Sequence, residues 1–325
     1  MRALICRQWG DINGLELGEM PVPEPAADEV LIRVKATAVN YADAIMVAGR
    51  YQTKPPLPFS PGLETAGEIA ACGTEATGFK PGDRVMAILA YGGLAEYTVA
   101  PAAETFHIPD GMGWDEAGAF PVAYVSSHVA IRWQGRLEPG ETMLVLGAAG
   151  GVGLAAVEIG KVMGARVIAA ASTAEKLAVA VSRGADDEIN YATEKLTERV
   201  MALTGGKGVD VCFDPVGGDL FDAALSSLAW GGRILLVGFV GGIPQIPANR
   251  LLVKHRAALG SSLRYFRWHA PDKLKRSADE LLQWYGERKL RPCITHRLPL
   301  ERGVDALRLL TERQAYGKIV VELEP

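Results

Sequence analysis

The stretch Leu146-Gly147-Ala148-Ala149-Gly150-Gly151-Val152-Gly153 decides the fold of this chain. It joins the short apolar run at 142–146 to a segment whose pattern is helical as far as about Met163. A glycine-rich turn between a strand and a helix is where a dinucleotide-binding fingerprint occurs. A plain strand-to-helix turn is the alternative interpretation, so the segments on either side must decide between the two.

The fingerprint register G-x-G-x-x-G falls on Ala148, Gly150 and Gly153, with alanine in the first place. Gly150 would let the main chain approach a pyrophosphate, and Gly153 would let the helix pack closely on the strand. Gly151 and Val152 complete a helix N-terminus, whose N–H groups favour phosphate. We therefore expect these five residues to bind a dinucleotide.

Strands and helices alternate around this turn from residue 123 to about residue 260. Apolar runs at 166–170, 209–214 and 233–237 are separated by helical patterns, which predicts an α/β fold with a parallel, doubly wound sheet. The first 122 residues instead contain short strands punctuated by Gly and Pro. The segment 29–38 alternates apolar and polar residues, and the whole region is typical of a small β-barrel. Residues 261–325 are too few for a domain, so we expect them to return to the barrel.

Composition restricts the classes of function. The 325 residues are 49% hydrophobic and 22% charged, which excludes a disordered chain. The net charge of −4 argues against nucleic acid or an anionic membrane as partner. The start has no signal-peptide pattern, and no apolar run reaches the roughly 18 residues of a membrane span. The four cysteines form no CxxC pair, so we expect neither structural zinc nor a disulfide framework, and we expect a reducing, cytoplasmic location.

The end of the second strand of this region indicates which nucleotide binds. NAD sites place Asp or Glu about 20 residues past the first glycine position, to bond the ribose 2′-hydroxyl. The chain has Ala169-Ala170-Ala171-Ser172-Thr173 there, without an acid. Ser172 can donate a hydrogen bond to a 2′-phosphate and Lys176 can supply the charge, so NADPH is favoured. The alternatives are a helix cap for Ser172 and a solvated lysine for Lys176.

Further motifs extend over almost the full length of the chain: Val39-Asn40-Tyr41-Ala42-Asp43, Gly49-Arg50-Tyr51, Pro61-Gly62-Leu63-Glu64-Thr65-Ala66-Gly67, Gly82-Asp83-Arg84-Val85, Gly92-Gly93-Leu94-Ala95-Glu96-Tyr97, Asp214-Pro215-Val216-Gly217-Gly218 and Gly317-Lys318-Ile319-Val320. With the glycine turn, they resemble the quinone oxidoreductase (zeta-crystallin-like) family of the medium-chain dehydrogenase/reductase superfamily. The resemblance implies a GroES-like catalytic barrel at 1–122, a Rossmann NADP(H)-binding domain at 123–260, and a C-terminal return to the catalytic domain at 261–325.

The resemblance also indicates whether a catalytic metal ion is expected. Zinc-dependent relatives hold a catalytic zinc with a Cys at the place of Asn40 and a His at the place of Leu63. Asparagine and leucine cannot replace those ligands. The resemblance therefore implies the branch of the superfamily that works without zinc, and a zinc alcohol dehydrogenase is disfavoured.

Several cofactor contacts are implied by the resemblance alone. Asn40 corresponds to the residue beside the nicotinamide ribose. The others are Ser126 near the nicotinamide, Tyr191 by the adenosine phosphate, Phe239 and Val240 at the nicotinamide carboxamide, and Lys318 as a further cofactor contact.

Hydride transfer requires little acid–base chemistry when the acceptor is a conjugated quinone. Tyr51 is the first candidate to hydrogen-bond an acceptor oxygen, and Asn40 is a candidate to orient either the acceptor or the ribose. Arg264, Tyr265 and Trp268 are candidates for substrate specificity or for a surface or interface role. We expect an NADPH-dependent quinone oxidoreductase, as a homodimer or homotetramer. The alternatives are an enone or enoyl-thioester reductase and a non-catalytic NADPH-binding protein.

Overall fold

A computed structural model describes residues 1–323 of the chain. Its strands are β1 (Arg2–Ile5), β2 (Glu16–Glu19), β3 (Glu29–Ala38), β4 (Glu64–Cys72), β5 (Arg84–Ile88), β6 (Tyr97–Pro101), β7 (Thr105–His107), β8 (Thr142–Leu146), β9 (Arg166–Ala171), β10 (Asp187–Asn190), β11 (Val209–Asp214), β12 (Leu228–Leu236), β13 (Ala257–Gly260), β14 (Ile294–Pro299) and β15 (Lys318–Glu322).

The α-helices are α1 (Tyr41–Val47), α2 (Trp114–Ala119), α3 (Pro121–His128), α4 (Gly151–Val162), α5 (Ala174–Ser182), α6 (Leu196–Leu203), α7 (Gly218–Ser227), α8 (Ala248–Leu252), α9 (Leu263–His269), α10 (Pro271–Gly286) and α11 (Gly303–Thr311). A π-helical turn, Val129–Gln134, continues α3. Within the described residues, no helix combines the length and the apolar character that a membrane crossing requires.

The chain divides into two compact units. Unit 1 comprises Met1–Val122 and the C-terminal segment from Pro292, and unit 2 comprises Ala123–Arg291. Unit 1 contains the barrel sheet, with strand order β14-β15-β3-β4-β5-β7 and with β6 paired to β3. Along β3 buried residues alternate with partly exposed ones, as its alternating sequence predicts.

Unit 2 contains a six-stranded sheet in the order β10-β9-β8-β11-β12-β13, and every neighbouring pair is parallel. Four of the five residues of β8 are fully buried, because helices cover both faces of a doubly wound parallel sheet. The order reverses direction at β8, and the crevice beside such a point is where ligands bind in this class of fold. The predicted α/β fold class, a GroES-like barrel with a Rossmann sheet, is confirmed.

The second domain boundary differs from the sequence prediction. We expected the return to the barrel to begin at residue 261, but unit 2 continues to Arg291. The indole nitrogen of Trp133 donates to Ser277 Oγ at 2.9 Å, and Leu274 and Leu281 of α10 are buried. The amphipathic helix α10 therefore completes unit 2, and the return begins at Pro292 instead.

Candidate functional site

The glycine turn connects β8 to α4 in unit 2. Gly147 has a positive φ of 56°, and Gly150 precedes the helix with an extended conformation (φ −73°, ψ 167°). Leu154 donates the first intrahelical bond, at 2.8 Å, to the carbonyl of Gly150. The N–H groups of Gly151, Val152 and Gly153 precede that bond, as at any helix start, and so are available to an anion.

The glycines of the turn are explained by different structural requirements. A Cβ at Gly150 would meet nothing nearer than the Gly147 oxygen at 3.4 Å, an ordinary van der Waals distance. A Cβ at Gly153 would overlap that same oxygen and would lie 2.9 Å from Ala148 Cα. The fold therefore requires glycine at Gly153 but not at Gly150. The open space at Gly150 fits a group that approaches the main chain closely, as a pyrophosphate does.

The carboxyl ends of β9 and β10 bring the other nucleotide candidates of unit 2 together. Thr173, not Ser172, caps α5, and its hydroxyl accepts a hydrogen bond from the Lys176 N–H at 3.3 Å. Ser172 is half-buried, and its hydroxyl bonds to no other residue that the structure describes. The main-chain N–H of Tyr191 donates to Ala171 at 3.1 Å, which places Tyr191 beside the end of β9.

The loop that carries Phe239 and Val240 is held by the turn after β11. The buried Asp214 carboxylate accepts hydrogen bonds from the N–H groups of Val216 and Gly217, both at 2.8 Å. Burial raises the pKa of Asp214 above its ordinary value, and these two hydrogen bonds oppose the rise. Gly241 donates in turn to the Val216 carbonyl at 2.7 Å. Phe239 is 43% exposed at the tip of this loop.

Ser126 lies half-buried on α3. The neighbouring Ser127, which sequence analysis did not select, is fully buried and donates to the carbonyl of Val152 at 3.0 Å. The same hydroxyl lies 2.8 Å from the Ala123 carbonyl, so its single proton is shared between α3 and the first turn of α4, the helix that starts at the glycine turn.

In unit 1, a buried network surrounds the Asn40 side chain. Lys318 Nζ lies 2.8 Å from Glu64 Oε1 and donates to Asn40 Oδ1 at 2.7 Å. Asn40 Nδ2 donates to Glu64 Oε1 at 2.8 Å and to the Ala38 carbonyl at 3.2 Å. The second Glu64 oxygen accepts the Val122 N–H at 2.8 Å. Lys318 is thus placed beside Asn40, two candidates that are 278 residues apart in sequence.

Asp43 adds a second buried carboxyl group to this region. Its Oδ2 accepts the Asn40 N–H at 2.7 Å, and the side chain is fully buried. Burial raises its pKa to about 7, while the Asn40 N–H and Lys318 partly oppose the rise. At neutral pH Asp43 therefore titrates within the protein, unlike an ordinary aspartate.

The residues at this position do not fit a catalytic zinc ion. Asn40 and Leu63 stand where zinc-dependent relatives have Cys and His, and Glu64 is committed to Lys318. Within residues 1–323, no group of three or more His, Cys, Asp or Glu side chains is arranged to hold a metal. Asn40 and Leu63 therefore do not supply the zinc ligands that those relatives use.

The remaining candidates occupy two other places. Tyr51 follows α1 in unit 1, is half-buried, and packs against the hydrophobic cluster that contains Val39 and Met46. In unit 2, the Arg264 guanidinium stacks on Trp268 at 4.9 Å, and the Trp268 ring is 56% exposed. The structure thus gathers the other candidates of each unit around the glycine turn, the Asp214 turn and Asn40.

Comparison with known proteins agrees with this architecture. Residues 26–110 match the family described as the alcohol dehydrogenase GroES-like domain, and residues 151–283 match the family described as zinc-binding dehydrogenase. The word zinc in the second description belongs to the name of the family. In this chain, the residues at the zinc-ligand positions differ from those of zinc-dependent relatives, as stated above.

Full-length relatives narrow the assignment. Quinone oxidoreductase-like protein 2 of Bos taurus is 38% identical over 309 residues, which cover 94% of this chain and 88% of the relative. The quinone oxidoreductase of Thermus thermophilus, solved alone and with NADPH, is 34% identical over 99% of this chain and all of that chain, with a TM-score of 0.87. The Escherichia coli quinone oxidoreductase, solved with NADPH, is 27% identical over 99% and 100%, with a TM-score of 0.93. The chain belongs to the quinone oxidoreductase family of the medium-chain dehydrogenase/reductase superfamily.

Four residues of the site were missed by sequence analysis as functional candidates: Asp43, Glu64, Ser127 and Asp214. Asp43, Glu64 and Asp214 lie within motifs quoted for the family resemblance, so a signal was present, but a motif does not say which side chain bonds to which. Ser127 gave no signal of its own, because a buried serine on a helix resembles many others.

Proposed function

We propose that this protein is an NADPH-dependent quinone oxidoreductase that works without a metal ion. The proposal rests first on the glycine turn. The fold has room for a side chain at Gly150, so packing does not explain the glycine there, whereas close approach of a ligand does. Membership of the quinone oxidoreductase family and the NADPH complexes of its solved relatives support the same cofactor.

The residues of unit 2 take the adenine and phosphate parts of the cofactor. Gly150, Gly151, Val152 and Gly153, with Ala148 behind them, bind the pyrophosphate through main-chain N–H groups. Ser172 and Lys176 bind the 2′-phosphate, and Tyr191 lies beside them. The absence of an acid at 169–173 supports this assignment, because an acid there would repel the 2′-phosphate.

The nicotinamide end and the acceptor take the remaining candidates. Ser126 and the main-chain groups of Phe239 and Val240 meet the nicotinamide, and Asn40 and Lys318 act at the ribose end. Tyr51 donates a hydrogen bond to an acceptor oxygen. These roles rest on the family resemblance together with the positions described above.

The reaction is balanced without a strong acid. Reduction of a quinone adds one hydride from C4 of the nicotinamide and one proton from solvent, and it leaves hydroquinone and NADP⁺. Because the electrons enter a conjugated ring, the oxygen that gains charge becomes a stabilised phenolate rather than an alkoxide. The chain's part is to bind and orient the reactants and to exclude water.

A substrate panel tests the proposal. NADPH oxidation is followed with quinones, enones and enoyl thioesters, and NADP⁺ reduction is followed with alcohols. The proposal expects the highest kcat/KM for a quinone. A higher kcat/KM for enones or thioesters would assign the protein to the alternative reductase, and NADPH binding without any turnover would make it a binding protein.

We also propose that the protein is a homodimer. Strand β13 forms one edge of the six-stranded sheet, and within residues 1–323 no strand pairs with its outer side. Eight of the fourteen exposed large hydrophobic side chains of the described residues belong to the segment 230–268, which includes β13: Trp230, Phe239, Ile243, Ile246, Leu252, Val253, Tyr265 and Trp268. Exposed edges and apolar patches of this kind are usually covered by a partner.

The four cysteines are all free, which supports a reducing, cytoplasmic location.

A further inference from the structure

Residues 223–271 form a basic segment in an acidic protein. They include no Asp or Glu, and their six Lys and Arg residues are Arg233, Arg250, Lys254, Arg256, Arg264 and Arg267. The segment therefore has a charge of +6, although the whole chain has a net charge of −4. It contains β12 and β13, so the positive charge is concentrated on one side of the parallel sheet. A surface of one sign attracts ligands of the opposite charge.

Arg264 differs from the paired cations of this segment. Arg233 pairs with Glu141, and Arg250 pairs with Asp222, both at 2.6 Å. The half-buried Arg264 makes no ion pair or hydrogen bond with any residue that the structure describes, and its Nη1 is shielded from water. Withdrawal of a charged donor from water without an acceptor is unfavourable, so the fold alone does not explain this arginine.

Two aromatic rings hold the Arg264 guanidinium in place. It lies 4.9 Å from the centre of the Trp268 ring and 5.8 Å from that of the Tyr265 ring. The two rings meet edge to face at 87°, and both are about half exposed. Stacking orients the fork of N–H groups with which an arginine binds a carboxylate or a phosphate. The exposed rings offer a surface on which a flat, conjugated group can pack.

The position of Arg264 in unit 2 points to the acceptor rather than to the phosphates of NADPH. Helix α9 begins three residues after the end of β13, and the Ser261 N–H donates to the Leu236 carbonyl at 3.0 Å. The helix therefore starts at the same sheet edge as the loop that carries Phe239. Strand β13 lies four strand positions from β9, where we place the 2′-phosphate. At about 4.8 Å per strand, that separation is roughly 19 Å.

The proposed homodimer does not supply the missing partner of Arg264. In a two-fold interface, the same patch of each subunit meets its own copy. The exposed apolar residues that we assign to the interface belong to the basic segment, which has no Asp or Glu. A second copy of this segment therefore brings no carboxylate to Arg264, and the anion must come from a ligand.

We propose that Arg264, with Tyr265 and Trp268 beside it, is a specificity-determining site for an anionic group on the acceptor. The preferred acceptor is then a quinone with an anionic substituent, which binds the guanidinium while the flat part packs on the exposed rings. This proposal rests on the proposed reduction of a quinone and names the class of quinone.

Two quinones that differ in charge test this site. One is a 1,4-benzoquinone with a carboxylate at the end of a short alkyl chain, and the other is its methyl ester, which has the same ring. Values of kcat/KM at saturating NADPH are measured for wild type, Arg264→Met and Arg264→Lys, with thermal melting to show folding. Arg276→Met is the matched control, because Arg276 also lies over an indole, 5.1 Å from Trp133, but belongs to α10.

Wild type should prefer the carboxylate. The ratio of kcat/KM for the carboxylate to that for the ester should fall about tenfold in Arg264→Met, as expected for one charged hydrogen bond. Arg264→Lys should retain part of the ratio, and Arg276→Met should retain all of it. An unchanged ratio in Arg264→Met would overturn the proposal. Conversion of a dimeric wild type into a monomer by Arg264→Met would also overturn it, because Arg264 would then pair with a second copy.

Calorimetric titration separates this proposal from the proposed function, because it needs no turnover. Each quinone is titrated into wild type and Arg264→Met in the presence of NADP⁺. If wild type binds the carboxylate selectively through Arg264 but reduces neither quinone, the anion site stands and the proposed activity fails. Equal affinity for the two quinones, or binding of neither, would overturn the anion site.

Discussion

The carbonyl oxygen of Gly147 occupies the place that a side chain at Gly153 would need. The same oxygen lies 3.4 Å from the place of a side chain at Gly150, which is within ordinary contact. The distance to this one oxygen therefore distinguishes two roles that the fingerprint assigns to glycine. Gly153 allows α4 to pack on β8, and Gly150 allows a ligand to approach.

This difference predicts opposite outcomes for two substitutions. Gly150→Val should melt close to wild type without cofactor but should lose NADPH binding, because its side chain fills the space that the pyrophosphate requires. Gly153→Ala should lower the melting temperature even without cofactor, because its Cβ overlaps the Gly147 oxygen. Melting curves with and without NADPH measure both effects, since a ligand stabilises only the state that binds it. Normal NADPH stabilisation of Gly150→Val would refute the assignment of the turn.

The proposed 2′-phosphate site predicts that cofactor preference depends on Lys176. Lys176→Ala should raise KM for NADPH by roughly 10- to 100-fold, the equivalent of losing a charged hydrogen bond, and should leave KM for NADH unchanged. The matched control is Lys195→Ala, an exposed lysine at the N-cap of the next helix, α6, that pairs with Glu198. A wild-type preference for NADH, or equal effects of Lys176→Ala on the two cofactors, would remove the 2′-phosphate site from this position.

Asp43 predicts how stability changes with pH. Its pKa is about 7 in the folded protein, where burial raises it, against about 3.9 in the unfolded chain. Between these values the folded state holds a proton that the unfolded state has released. The free energy of unfolding should therefore fall as pH rises from about 4 to about 7, by up to about 1.4 kcal/mol per pH unit, and this dependence should level off above pH 7.

Urea unfolding at pH 5 and pH 7.5 measures this effect. Wild type should lose about 2–3 kcal/mol more than Asp43→Asn over that interval, because asparagine has no proton to release. The exposed Asp279→Asn should follow the wild-type profile. Parallel profiles for wild type and Asp43→Asn would show that Asp43 is ionised at both pH values.

The edge at β13 predicts a dimer that surface charge can break. Replacement of two exposed apolar residues, Trp230→Asp with Leu252→Asp, should convert the dimer into a monomer in sedimentation velocity. Val181→Asp is the matched control, because Val181 is 44% exposed on α5, which packs at the opposite end of the sheet. A wild-type monomer at micromolar concentration would contradict the proposed homodimer.

Features of this chain that depend on local interactions could be predicted from its sequence, whereas features that depend on distant residues could not. The Rossmann sheet could be predicted because β8, β9 and β11 are short apolar runs separated by glycine turns and helical patterns, which are local signals. The Glu64–Lys318 pair could not, since the two residues are 254 positions apart and neither sequence context indicates the other. The place of α10 was missed for the same reason. Its amphipathic pattern shows that it buries one face but not against which unit.

The candidate site shows the same division. The glycine turn could be located from its own sequence. Either Ser172 or Thr173 could cap α5 by residue type, so the choice between them depended on main-chain geometry. Family motifs indicated Asn40 and Lys318 as separate cofactor contacts, and the structure adds that the second holds the first.

The activity proposed for this chain is the transfer of a hydride from NADPH to a quinone without a metal ion. The most direct measurement mixes chelator-treated, NADPH-loaded protein with a quinone and follows NADPH fluorescence in a single turnover. The proposed activity should give a protein-dependent loss of fluorescence that is unchanged by chelation and is slowed when the transferred hydrogen at nicotinamide C4 is deuterium. A loss no faster than without protein, or one restored only by added zinc, would contradict it.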